Sequence, residues 1–256
     1  MPPSQTRLLG ASSATEVARR LVDTLGGRYS RELGIDVDAG DDEVERWFLA
    51  ATLFGTRISA AIAARTFRVF EKAGLTSVAD AGQVAPDELI ELLDAGGYAR
   101  YDFRTAARLR ALSDVLHQRD QGRAAEFGRR VRAPAELEAA LDALPGWGPV
   151  TVALFLRELR GVWPAADPPL DRRAGWAASH LRLMAAGGGL ARLRLLAARA
   201  GIDLRDLEGG LVRLALTHER RPGRCPGGPG CDILGARVGG THPAATSGRR
   251  AAGTAR

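Results

Sequence analysis

Lysine is almost absent from this sequence. Lys72 is the single lysine among 36 basic residues, so arginine supplies the other 35. Arginine stays protonated and cannot form a Schiff base, which leaves amine-based covalent chemistry one candidate in the whole chain. Cysteine is nearly as scarce: Cys225 and Cys231 are the only two, both in the loop-like stretch "RPGRCPGGPGCDI". Two cysteines exclude a disulfide framework, and by themselves they fall short of the four ligands that a closed metal site takes. No run approaches eighteen consecutive apolar residues, and the opening "MPPSQTRLLGASSATE" has no apolar stretch of signal-peptide length. A soluble cytoplasmic protein without a membrane span is the expectation. Alternation of apolar and polar residues, the mark of half-buried strands, is also nearly missing.

What is present is helical. The 256 residues are 45% hydrophobic, enough to bury a real core as one compact unit or as two lobes around a cleft. Apolar residues recur at helical spacing in "TEVARRLVDTL", "DDEVERWFLAATLF", "ISAAIAARTFRVFEKAG", "APDELIELLDAG", "YDFRTAARLRALSDVLHQ" and "APAELEAALDAL", and again in "GGGLARLRLLAARAG" and "DLRDLEGGLVRLALTHE". Gly74, Gly96 and Gly97 follow periodic stretches as stops, while Pro86 and Pro134 stand where first turns begin. An all-α region is expected over 13–238, after a flexible N-terminus at 1–12. The segment 239–256 has no apolar period and reads as a disordered basic tail. Net charge is +6 and the pI near 10.2, a balance that favours a polyanionic partner.

One stretch breaks the helical run in an informative way. In "LPGWGPVTV", Leu144 to Val152, Pro145 ends a helix, Gly146 and Gly148 permit positive φ in a tight turn, and Pro149 suits the first turn of the next helix. The expected product is a helix-hairpin-helix over 134–160 whose second helix presents free amides, a ready site for phosphate. About twenty residues on, "VWPAADPPLDRRAGW" places Asp167 ahead of Pro168, Pro169 and Leu170.

The hairpin followed by this acid resembles the helix-hairpin-helix (HhH-GPD) DNA glycosylases. "LPGWGPVT" is similar to the hairpin of endonuclease III and of the alkylbase glycosylases, and Asp167, Leu170 and Arg172 look like the Asp segment of that family. Upstream, "FLAATLFGTRIS" and "LLDAGGYARYDFRTAARLRAL" resemble the early helix and loop of endonuclease III and its Gly-Tyr turn, so the likeness spans about residues 40 to 235. It implies a two-lobed all-α fold with the hairpin beside a cleft, and a monomer that binds double-stranded DNA near the nucleoid. The implied activity is base excision repair, in which a damaged or mispaired base is flipped out and its N-glycosidic bond hydrolysed.

The resemblance assigns Asp167 as the catalytic carboxylate, stabilising positive charge on the sugar or activating a water. An Asp before two prolines is also a good helix N-cap, and Asp171 is a second acid in the same segment. DNA contact falls to Leu144, Gly146, Trp147, Gly148, Val150 and Thr151 of the hairpin, and to Thr56 and Arg57 in the loop after "WFLAATLF". Trp147 either packs under the turn or touches DNA. Tyr98 and Tyr101, flanking the Gly-Tyr turn, either line a base pocket or pack in the core. Arg157 and Arg160 follow the hairpin as candidate phosphate contacts. His117 and His180 stand alone on helices and receive no chemistry.

Two departures from the family narrow the reading. Bifunctional members carry a lysine two residues after the second hairpin glycine, and that position here is Val150. A monofunctional glycosylase is therefore expected; the alternatives are a non-catalytic helix-hairpin-helix DNA-binding protein and an endonuclease III-like nuclease or lyase acting at abasic sites. Endonuclease III relatives also bind a 4Fe-4S cluster with four cysteines. "HERRPGRCPGGPGC" resembles that loop with His218, Cys225 and Cys231 in place of three ligands and no fourth cysteine, which implies loss of the cluster and no cofactor, with a 4Fe-4S cluster on an incomplete ligand set as the alternative.

Overall fold

A computed structural model of the chain describes residues 13–56, 58–185, 187–219 and 225–235. The N-terminal segment at 1–12 and the tail at 239–256 lie outside the described residues, as does Arg57. The helices run in order as α1 (Ala14–Leu25), α2 (Tyr29–Glu32), α3 (Asp41–Phe54), α4 (Ala60–Lys72), α5 (Val78–Gln83), α6 (Pro86–Gly96) and α7 (Asp102–Asp120). They continue as α8 (Ala125–Arg130), α9 (Pro134–Asp142), α10 (Pro149–Glu158), α11 (Arg172–His180), α12 (Leu190–Ala200), α13 (Leu204–Glu219) and α14 (Asp232–Gly235). No strand occurs among the described residues, so the all-α expectation holds. None of the described helices is long and apolar enough to cross a membrane.

Local chemistry explains the boundaries. Ser13 and Glu16 form a reciprocal capping box at the start of α1, and Ser77 with Asp80 does the same for α5. Pro86, Pro134 and Pro149 occupy first turns, where the missing N–H costs nothing. Gly97 closes α6 in the left-handed conformation at φ 103.

The apolar residues separate into two buried clusters. The larger is built from chain between Tyr29 and Ala166, and α3 runs through it with Val44, Trp47, Phe48, Leu49, Ala50, Ala51 and Leu53 all buried. A helix apolar on nearly every side can only be a central one. Its aromatic neighbours pack edge to face: Phe155 meets Phe48 at 5.3 Å and Trp163 at 5.4 Å. The smaller cluster joins α1 to α11, α12, α13 and α14 through Leu21, Ala177, Leu193, Leu207, Leu211 and Leu234, so the first helix belongs with the last of the described ones.

Where the clusters meet, the residues are charged. Arg28, only 1% exposed, bonds Asp206 through Nε at 3.1 Å, and Arg205 grips both oxygens of Asp38 at 2.9 Å. The Glu158 carboxylate at the end of α10 is fully buried and accepts the Tyr29 and Ser30 amides at 2.8 and 2.9 Å, which caps α2. Arg160 donates to Glu208 from Nε at 2.8 Å, with Glu208 also fully buried. Burial pushes the Glu158 carboxyl upward against the pull of Arg157, and the Glu208 carboxyl upward against the pull of Arg160. Arg157 and Arg160 are themselves buried here, so the expectation that they reach phosphate from the hairpin is corrected.

Removing one partner from such a seam leaves an uncompensated buried charge. Arg160→Ala is expected to lower the unfolding free energy in urea by about 3–5 kcal/mol, because the buried Glu208 carboxylate has no other hydrogen-bond donor among the described residues. Arg129→Ala, which breaks the exposed pairs with Asp41 and Glu126, is expected to cost under about 1 kcal/mol. Equal, small effects at the two positions would deny the seam its role.

Candidate functional site

The hairpin forms as the sequence predicts, with one difference of backbone. Gly146 takes φ +80, whereas Gly148 is extended at φ −166 and caps α10 without a side chain. A Cβ at Gly148 would meet nothing within 4 Å. No internal packing demands glycine there; its absence of side chain leaves the surface of the turn open to an approaching ligand. Val152 is the first residue of α10 to donate to a backbone carbonyl, that of Gly148 at 3.0 Å. The Val150 and Thr151 amides precede it and have no hydrogen-bond partner among the described residues, as in any first turn without a side-chain cap.

Gly55 brings the second wall close. A Cβ on it would fall 2.0 Å from the Thr151 hydroxyl, so only glycine lets the end of α3 approach the hairpin. The α3 turn, the start of α7 and the hairpin then enclose a cavity of about 710 Å³, lined by Thr56, Tyr101, Arg104, Thr105, Arg108 and the Gly146–Thr151 stretch. Arg104 and Arg108 lie one turn apart on α7, and neither makes an ion pair among the described residues. No carboxylate of the described residues lines the cavity. Two guanidinium groups, hydroxyls and free amides around such an acid-free cavity can bind an anion such as phosphate.

The structure sorts the residues expected at the DNA interface. Thr56, Gly146, Trp147, Gly148, Val150 and Thr151 all line the cavity, and Val150 is 69% exposed at its rim. Leu144, by contrast, is a core residue. Trp147 packs under the turn: its ring stacks on Phe48 at 4.5 Å, and its Nε1 donates to the Thr52 hydroxyl at 3.1 Å. Tyr98 is fully buried, with its hydroxyl donating to the Leu53 carbonyl at 2.6 Å, so it has no face to offer a base. Burial holds its phenol well above the ordinary range, and the Thr56 hydroxyl opposes that rise. Tyr101 is the partly exposed one of the pair and lines the cavity. Arg104 and Arg108 are site residues that sequence reasoning misses; their i, i+4 spacing after the Gly-Tyr turn is the available signal.

The two acids differ in what they hold. Asp171, not Asp167, caps α11, accepting the Arg173 and Ala174 amides through Oδ1 at 2.7 and 3.3 Å. Asp171 also lines a separate groove of about 480 Å³ with Glu138, Asp142, Val152 and Pro168–Leu170, and Pro149 borders both this groove and the arginine-lined cavity. Asp167 is 49% exposed and paired with Arg160 and, at 2.9 Å, with Arg194. It lines neither space. Lys72 is exposed at the end of α4 and lines neither space either.

A second group of reactive side chains gathers in the smaller cluster. The ligand atoms of His180, His218, Cys225 and Cys231 all lie within 4.8 Å of one another and are placed to hold a metal ion. His180 receives no chemistry from the sequence, because nothing there connects the end of α11 to a loop beyond α13. Burial lowers the His180 imidazole below its usual range, with His218 adding to the fall, and burial raises the Cys231 thiol. His117, by contrast, bonds the Ser113 carbonyl within its own helix at 2.9 Å.

Comparison of the sequence with protein-family models and with curated proteins finds no match.

The two tyrosines give opposite expectations. Tyr98→Phe should cost about 0.5–1.5 kcal/mol of stability by removing one donor from the Leu53 carbonyl, which keeps the Thr56 hydroxyl at 3.1 Å. Tyr101→Ala should leave the melting temperature nearly unchanged. Thermal melts check both, and the reverse pattern would deny Tyr98 its place in the core.

Proposed function

We propose that this protein binds duplex DNA through the α9–α10 hairpin and acts on it as a monofunctional DNA glycosylase of base excision repair. The observation that carries the binding is the acid-free cavity at the uncapped start of α10, with Arg104, Arg108 and the Val150 and Thr151 amides converging on it. A backbone phosphate seated there satisfies amides that nothing else in the hairpin satisfies and releases condensed counterions. The basic composition of the chain is consistent with such a partner.

Excision asks for one more group. As the base departs, positive charge grows on the sugar, and a carboxylate beside it lowers the barrier. Asp171 is better placed for this than Asp167. One of its oxygens is committed to the α11 amides, the other makes no hydrogen bond among the described residues, and the groove it lines shares Pro149 with the phosphate cavity. A nucleotide flipped over the start of α10 would pass from one space to the other. Val150 offers no amine to attack the sugar, so the reaction stops at the abasic site.

Binding without excision is the second reading. It is favoured by the pairing of Asp167 with Arg160 and Arg194, which occupies the acid that the hairpin motif points to.

Three variants separate these readings. Arg104→Ala with Arg108→Ala should weaken duplex binding at least tenfold and reduce the slope of log affinity against log salt by about 0.9 for each phosphate no longer neutralised. Asp171→Asn keeps the cap, since Asn caps about as well as Asp, and should abolish release of base from a lesion panel while binding persists. If Asp167→Asn alone abolishes release, the catalytic carboxylate is Asp167. Absence of base release by wild-type protein across the panel leaves the binding protein, and a borohydride-trapped adduct would overturn the monofunctional assignment.

A further inference from the structure

The segment 225–235 packs against the ends of α11 and α13 as well as against α1. We propose that His180, His218, Cys225 and Cys231 bind a single zinc ion in a closed tetrahedral site that ties this segment to α11 and α13.

The spacing of the ligand atoms fits one ion. The two sulfurs are 3.6 Å apart, and His218 Nε2 lies 3.5 Å from Cys231 Sγ. Around a tetrahedral zinc with Zn–S of about 2.3 Å and Zn–N of about 2.0 Å, sulfur pairs fall roughly 3.8 Å apart and nitrogen–sulfur pairs roughly 3.5 Å. The sulfurs are too far apart for a disulfide, whose bond is about 2.05 Å. They also do not suit the 4Fe-4S cluster suggested by the resemblance. Two thiolates are present where the cluster uses four, and a cube of iron and sulfide would hold its ligand sulfurs much farther apart than these.

The surroundings point the same way. His180 Nε2 is buried and has no hydrogen-bond partner among the described residues, a cost that a metal bond would remove. The Cys225 sulfur accepts the Asp232 amide at 3.3 Å, and the Ile233 and Leu234 amides favour the thiolate of Cys231. Backbone donors around both sulfurs stabilise thiolates and orient them toward a common centre. Trp176 covers the site on one side, stacked on the His180 ring at 5.1 Å and edge-on to His218 at 5.5 Å.

Charge balance favours a divalent ion. Binding releases one proton from each thiol to solvent, and two thiolates with two neutral imidazoles offset the double positive charge of the metal without any redox change. A neutral site is the form that tolerates burial beside Leu181, Leu214 and Leu234. Two sulfurs and two nitrogens in a tetrahedron select zinc over the oxygen-seeking magnesium and calcium.

The test begins with elemental analysis of the purified full-length protein, which should contain one zinc per chain and no iron or sulfide. Cobalt exchanged into the site should give the visible bands of a tetrahedral ion together with a sulfur-to-cobalt charge-transfer band. Both thiols should resist alkylation until a chelator is added, and the melting temperature should fall on chelation and recover with zinc. Cys225→Ser should lose the metal, while His180→Cys should retain zinc and intensify the charge-transfer band of the cobalt form. Should Cys225→Ser fail to fold, the cobalt spectrum of the wild-type protein decides. Four irons with sulfide per chain, a Cys225–Cys231 disulfide, or metal-free protein with two freely reactive thiols and no uptake of cobalt would each overturn the proposal.

Discussion

The Glu208 carboxylate has no contact with water and is held by Arg160, and the two halves of the protein converge on that pair. A carboxylate taken out of solvent is tolerated only when an opposite charge and directional donors come with it. Arg160 supplies both through Nε and Nη2; Nη2 also donates to the Pro168 carbonyl at 2.6 Å, and Nη1 reaches Asp167. One guanidinium therefore joins α13 of the smaller cluster to the segment that leads into α11. The neighbouring pairs Arg28 with Asp206, and Arg205 with Asp38, repeat the arrangement along the same boundary. Lysine could not take this part, because it lacks the planar set of donors that serves several oxygens at once.

That boundary sets the geometry of both candidate sites. Glu158 closes α10 at the seam by capping α2, so the helix that begins at the open hairpin ends on a fixed point. Its first turn is held by packing instead: Trp147 wedges between Phe48 and Phe155, and Gly55 admits Thr151. With both ends fixed, the amides at Val150 and Thr151 are presented by a rigid element, as anion binding requires. On the other side, α11 is capped by Asp171 at its start and carries His180 at its end, so one helix of nine residues connects the groove by the hairpin to the His and Cys group.

Much of this is legible in the sequence, and the misses have physical causes. The long helices α1, α3, α4, α6, α7, α9, α10, α12 and α13 follow from apolar periodicity with their proline and glycine punctuation. The short helices α2, α5 and α8 do not, because four to six residues carry too little period. Asp167 has the sequence of a cap, but Pro168 and Pro169 disfavour helical backbone ahead of them, which moves the helix start to Asp171. Arg157 and Arg160 read as solvated arginines, since charge in a sequence does not reveal burial. The ligand role of His180 is invisible because its partners lie beyond another helix, and only the fold brings them within reach.

The pairing of α1 with α12 and α13 has a consequence for how the chain is made. The residues of the larger cluster all lie between Tyr29 and Ala166, so its apolar packing can form once that stretch has left the ribosome. Helix α1, which emerges before it, has its buried partners in α11 to α14, synthesised after the larger cluster. Until those helices emerge its apolar face, Val17, Ala18 and Leu21, waits without its native cover. The order of synthesis thus separates the two halves in time, with the earlier half able to act as a template onto which α1 and the later helices close.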